Sequence, residues 1–127
     1  MTYLLIGIGG GIGSLLRYFV SILFTHNGSN SFPYSTLCAN LVGAFFLGLL
    51  MRMAKKYGRS ESKLVLAIGT GIIGSFTTMS TFSIETVQFI YFGHYFNAFI
   101  YIMLSVFGGI IAAYLGYYHR KEVGEQR

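Results

Sequence analysis

Ser75-Phe76-Thr77-Thr78-Met79-Ser80-Thr81-Phe82-Ser83 places six hydroxyl side chains within nine residues, inside an apolar stretch that is otherwise long enough to cross a bilayer. Each hydroxyl donates one hydrogen bond and accepts two, and hydrocarbon supplies no water to answer them. The run must therefore face protein or a polar passage, where its chemistry is the binding or movement of something small and polar.

Gly69, Gly71 and Gly74 precede the run, and this concentration of glycine with Ser and Thr predicts that the helix breaks between Gly74 and Ser80. A break exposes carbonyls and amides at membrane depth, which is tolerated where the backbone is buried or lines a water-filled space. Such a break can become an ion site.

The elements that carry these residues follow from hydropathy. Only 10% of the 127 residues are charged, against roughly a quarter in an average soluble domain, and 54% are hydrophobic. Apolar windows run from Tyr3 to Phe24, Thr36 to Met53, Leu64 to Tyr91 and Phe96 to Tyr118, each near the roughly 20 residues a helix needs to span hydrocarbon. The expected fold is a single all-α domain of four transmembrane helices, with the third broken. Met1-Thr2-Tyr3 leads directly into a full-length span, so the first helix is expected to be retained rather than cleaved.

Charge sets the orientation. With four spans, Arg52, Lys55, Lys56, Arg59, Lys63, Arg120, Lys121 and Arg127 all fall on one side, and no Lys or Arg falls in the connections opposite. The positive-inside rule then predicts a multi-pass plasma-membrane protein with both termini cytoplasmic. The net charge of +5 therefore reports orientation rather than nucleic-acid binding.

Arg17 is the remaining basic residue and lies within the first span, while Glu85 is the one acidic residue within a span. Both fall about two turns from the predicted outer ends. Two readings stand: a neutralising pair, or a polar vestibule in which Arg17 attracts anions and Glu85 positions it or a neighbouring hydroxyl. Thr36, Asn40 and Gly43 share a face of the second helix. Gly7 and Gly11, Gly9 and Gly13, and Gly108, Ala112 and Gly116 form small faces suited to close helix packing. Cys38 is the only cysteine, which excludes an intramolecular disulfide and a cysteine metal cluster, and His26, His94 and His119 lie in connections or the tail. There is no nucleophile-base-acid constellation, so an enzyme is not expected.

Gly10-x-x-Gly13-x-x-x-Arg17-Tyr18, Thr36-Leu37-x-x-Asn40-Leu41-x-Gly43 and Gly74-x-x-Thr77-Thr78-Met79-Ser80-Thr81-Phe82-Ser83-x-Glu85 together resemble the CrcB/Fluc fluoride channels, in order and over essentially the whole chain. The resemblance implies an antiparallel dimer with fluoride pathways between the subunits, passive fluoride export and protection from fluoride toxicity. It places Asn40, Ser80, Thr81 and Phe82 on the pathway, with Met79 and Thr36 beside them. It also implies a structural Na⁺ held at the dimer centre by backbone carbonyls of the third helix, at positions matching Gly74 and Thr77. One polar side chain of the fourth helix, among Tyr101, Ser105 and Tyr114, is expected to join the pathway.

The chemistry of these residue types agrees. Fluoride is small and tightly hydrated, so a pathway must replace its water with donors, which hydroxyls and the Asn40 amide provide. The Phe82 ring edge carries partial positive character that can face an anion. Two positions depart from the family: Met79 stands where Phe is usual, and Ser35 where Gly is usual. Methionine has no aromatic edge, so one of two pathways per dimer is expected to be weakened or lost. The charge bias also favours one fixed orientation, which points to pairing with an oppositely oriented, related subunit. The competing readings are a small multidrug-type antiparallel transporter, which would rely on a deep carboxylate for proton exchange, a non-conducting subunit of a heterodimeric fluoride channel, and a purely structural membrane subunit.

Overall fold

The structure is a computed structural model that describes residues 1–24, 32–59 and 62–118. His26, His119, Arg120, Lys121 and Arg127 lie outside the described residues. Helix α1 covers Thr2–Leu23 and α2 covers Tyr34–Lys56. The third apolar segment divides into α3 (Lys63–Leu66), a π-helical stretch (Ala67–Ile73), α4 (Gly74–Phe76) and α5 (Met79–Tyr91), and α6 covers Tyr95–Tyr118. Four helical segments of 22, 23, 29 and 24 residues are long and apolar enough to cross a membrane, and no strand occurs among the described residues.

Local sequence explains where the elements start and turn. Ser62 caps α3 by accepting the Val65 amide at 3.2 Å, and α5 and α6 are joined by a tight reversal in which Gly93 takes φ 78°. That left-handed conformation suits glycine, which has no Cβ to clash.

Packing rests on small residues. Gly48 of α2 sits against the backbone of Ala113, and Gly116 of α6 sits against the backbone of Phe45, so the two helices interlock reciprocally. A Cβ at Gly9 would lie 2.8 Å from the Ala67 carbonyl oxygen, and one at Gly71 would lie 2.8 Å from that of Ile6. The π-helical stretch thus presents its small side to the Gly9 and Gly13 face of α1. Gly7 and Gly11, the other glycine pair of α1, meet no atom within 4 Å. Among the described residues, one of the two glycine faces is used for packing.

The buried apolar set is short and consists mainly of small side chains such as Ala39, Ala54, Ala67 and Ala98. Leu4, Phe19, Phe46, Phe96 and Ile110 are instead exposed. Lipid tails are as apolar as leucine, so a bundle in hydrocarbon gains little by burying such residues and depends on close backbone contact.

Candidate functional site: a hydroxyl-lined crevice beside an interrupted helix

Thr77 and Thr78 separate α4 from α5 and are both extended, with φ −79°, ψ 157° and φ −146°, ψ 120°. Asn40 reaches across from α2 to hold this segment. Its Oδ1 accepts the Thr78 amide N–H at 2.8 Å, and its Nδ2 donates to the Thr78 carbonyl at 3.0 Å. Gly43, one turn further along α2, leaves room for the Thr77 side chain. Thr78 in turn caps α5, its Oγ1 accepting the Thr81 amide at 3.3 Å and donating to Thr81 Oγ1 at 3.0 Å.

Two carbonyls lose their helical donors as a result. In a continuous helix the Thr78 amide would answer Gly74 and the Thr81 amide would answer Thr77. Both amides are taken elsewhere, by Asn40 and by Thr78 Oγ1. Among the described residues the Gly74 oxygen keeps a 3.5 Å contact from the Thr77 hydroxyl, which bonds Ile73 more closely at 3.1 Å. These are the two positions that the sequence resemblance assigns to sodium, and a hard cation takes uncharged carbonyl oxygens as ligands. The donor set fits.

Beside the interruption lies a cavity of about 350 Å³. Helix α1 contributes Ser14, Arg17, Tyr18 and Ser21, α2 contributes Ser35 and Thr36, and the third segment contributes Thr78, Thr81 and Glu85. Arg17 and Glu85 therefore do share one space. They do not pair directly: Glu85 Oε1 accepts the Thr36 hydroxyl at 2.8 Å and Oε2 accepts the Tyr101 hydroxyl at 2.6 Å. The carboxylate is answered by two hydroxyls, leaving the Arg17 guanidinium as the cationic group on the cavity wall.

Tyr101 of α6 is fully buried. Its ring packs 5.0 Å from that of Phe82 and meets Phe32 edge-on at 5.4 Å, and Phe82 is not among the residues that line the cavity. Met79 and Ser80 are exposed on the surface of the single chain, with Met79 at 73%. Ser80 approaches Thr78 at 3.4 Å. The structure thus gathers Arg17, Thr36, Thr81 and Glu85 at one cavity, sets Asn40 on the Thr78 backbone, and leaves Met79 and Ser80 exposed. On α6, Tyr101 holds Glu85, the buried Ser105 Oγ has no hydrogen-bond partner among the described residues, and Tyr114 is exposed. Sequence reasoning left these three undivided and gave Ser35 no role. Their burial depends on helix rotation, which periodicity alone does not settle in so uniformly apolar a helix.

Comparison with known proteins decides the family. The family described as "CrcB-like protein, Camphor Resistance (CrcB)" matches residues 4–117. The chain belongs to the CrcB-like family. CrcB-like relatives include "Fluoride-specific ion channel FluC 1" of Bacillus cereus, 44% identical over 117 residues, covering 92% of this chain and 81% of that protein. The protein of the same name from Desulfitobacterium hafniense is 42% identical over 87% of this chain and 96% of its own length. "Fluoride-specific ion channel FluC 2" of Listeria monocytogenes is 38% identical, over 91% and 88%. The CrcB-like assignment and the four apolar helices together make this a multi-pass membrane protein.

Proposed function

We propose that the chain is a subunit of a fluoride-selective channel that lets fluoride leave the cell passively. The observation that carries this reading is the cavity in which one guanidinium is surrounded by hydroxyls from three helical segments, in a relative of proteins named fluoride-specific channels. A guanidinium raises the local concentration of anions, and hydroxyls arranged around it replace the water that a small halide gives up. The occupied carboxylate of Glu85 counts against a multidrug-type exchanger, which needs a free one for protons and cations.

The outward position of Met79 and Ser80 supports an antiparallel dimer in which the pathway is completed between subunits, with Asn40, Thr81 and Phe82 contributing to it. Gly74 and Thr77 would hold a structural Na⁺ through their carbonyls, and a bound sodium supplies a fixed positive charge there. The eight-to-none distribution of basic residues supports cytoplasmic termini and pairing with a related subunit of opposite orientation.

Fluoride efflux from reconstituted vesicles, read with a fluoride-selective electrode and with chloride as control, tests the function. Fluoride should leave selectively, and equal chloride flux would remove the channel reading. Met79→Phe restores an aromatic edge worth about 1 kcal/mol, or roughly a fivefold gain in flux. Unchanged flux would show that position 79 does not face the anion. Robust flux from the isolated chain would exclude an obligate heterodimer.

Orientation has a separate readout. A single cysteine introduced at Gly58, with Cys38→Ser, should react with an impermeant thiol reagent from the cytoplasmic side alone in intact cells and inverted vesicles. Labelling from both sides would overturn the fixed topology.

A further inference from the structure

We propose that Asn40 is the positioning residue of the cation site: by capturing the Thr78 amide, it keeps the Gly74 carbonyl open for sodium. The inference rests on the sodium reading above and adds a role that the anion pathway alone does not give this side chain.

The argument is one of competition for a single N–H. Thr78 follows Gly74 by four residues, so its amide is the natural helical partner of the Gly74 oxygen. Asn40 Oδ1 takes that amide at 2.8 Å instead. The second bond, from Nδ2 to the Thr78 carbonyl at 3.0 Å, fixes the same residue from its other end. Bonds at both ends of one residue hold it extended, at φ −146° and ψ 120°. Neither bond could form if the chain stayed helical through Thr78. The Gly74 oxygen is then left with a 3.5 Å hydroxyl contact, too long to compete with a cation. Asn40 also spends one of its two Nδ2 hydrogens on this clamp, so one remains for an anion. A single carboxamide thus serves the backbone that binds the cation before it serves the pathway.

The test separates clamp from donor. Purified full-length protein is melted in detergent with NaCl replaced stepwise by choline chloride at constant ionic strength, with KCl as control, because a ligand of the folded state raises the midpoint by mass action. The wild-type protein should be stabilised selectively by Na⁺. Asn40→Ala frees the Thr78 amide to close on Gly74, and the Na⁺ concentration for half the midpoint shift should rise roughly tenfold or more, as for loss of one good ligand. Asn40→Asp keeps an acceptor at Oδ1 for the Thr78 amide but sets its second oxygen, in place of the Nδ2 donor, against the Thr78 carbonyl, so half of the clamp is lost. Its Na⁺ response should weaken by less than that of Asn40→Ala, while fluoride flux in vesicles is lost.

If wild type shows no selective Na⁺ response, the sodium reading falls and this inference with it. If wild type responds and Asn40→Ala responds at the same concentration, the positioning role falls while the sodium reading stands. An Asn40→Asp response as weak as that of Asn40→Ala would also overturn it. Should the alanine variant fail to fold, the aspartate variant still decides.

Discussion

Gly116→Leu will prevent α2 and α6 from closing and leave the chain unable to form a monodisperse, cooperatively melting species in detergent. Gly116 lies against the Phe45 backbone, with the Leu49 nitrogen 3.1 Å from where its Cβ would stand. Overpacking costs typically about 1–3 kcal/mol when neighbouring side chains can yield. Here the obstacle is main chain held in a regular helix, so the cost should reach or exceed about 3 kcal/mol. A Cβ at Gly109 on the same helix would meet no atom within 4 Å, so Gly109→Leu should melt no lower than wild type. A Gly116→Leu protein with the wild-type midpoint would mean that the two helices do not approach as closely as described.

The second large effect is on transport. Tyr101→Phe retains the buried ring against Phe82 and Phe32 but deletes the hydroxyl that answers Glu85 Oε2 at 2.6 Å. Hydrogen bonds to charged groups contribute about 1.5–3 kcal/mol, so fluoride efflux should fall roughly tenfold to a hundredfold. The cause is electrostatic: a carboxylate with one partner fewer projects more negative potential into the cavity that it shares with Arg17. Glu85→Gln in the same background removes that charge and should recover part of the lost flux. Wild-type flux in Tyr101→Phe, or no recovery in the double variant, would show that the Glu85 charge does not reach the anion.

These two predictions draw on residues of different legibility. Gly116 was visible as part of a small face with Gly108 and Ala112, because four-residue spacing identifies one side of a helix without any knowledge of its partner. The partner, Phe45 of α2, was not visible. The glycines of α1 show the limit from the other direction: Gly7 with Gly11 and Gly9 with Gly13 have the same spacing, yet among the described residues only the second pair packs against a neighbouring element. Tyr101 was one of three candidates on α6, and nothing in its neighbours marked it as the residue that would reach a carboxylate sixteen positions earlier.

Arg17 and Glu85 illustrate the difference most directly. Depth counted along two helices brought them to the same level, and the structure does place them on one cavity. Their charges suggested a pair, but Thr36 and Tyr101 reach the carboxylate first. A formal charge is readable in one dimension; which donor lies nearest depends on the rotation of four helices.

By itself, the amino-acid order determined that this protein lives in a bilayer, with four apolar segments, one of them loaded with glycine and hydroxyls, and basic residues gathered on one side. Hydropathy and charge are properties of each segment alone, so they survive without coordinates. Only the tertiary structure decided that Asn40 clamps Thr78, thirty-eight residues away, which takes from the Gly74 carbonyl its helical donor, while the Thr78 hydroxyl takes that of Thr77. Backbone hydrogen bonds in an interrupted helix have more than one possible partner, and the choice is made by whichever helix packs alongside.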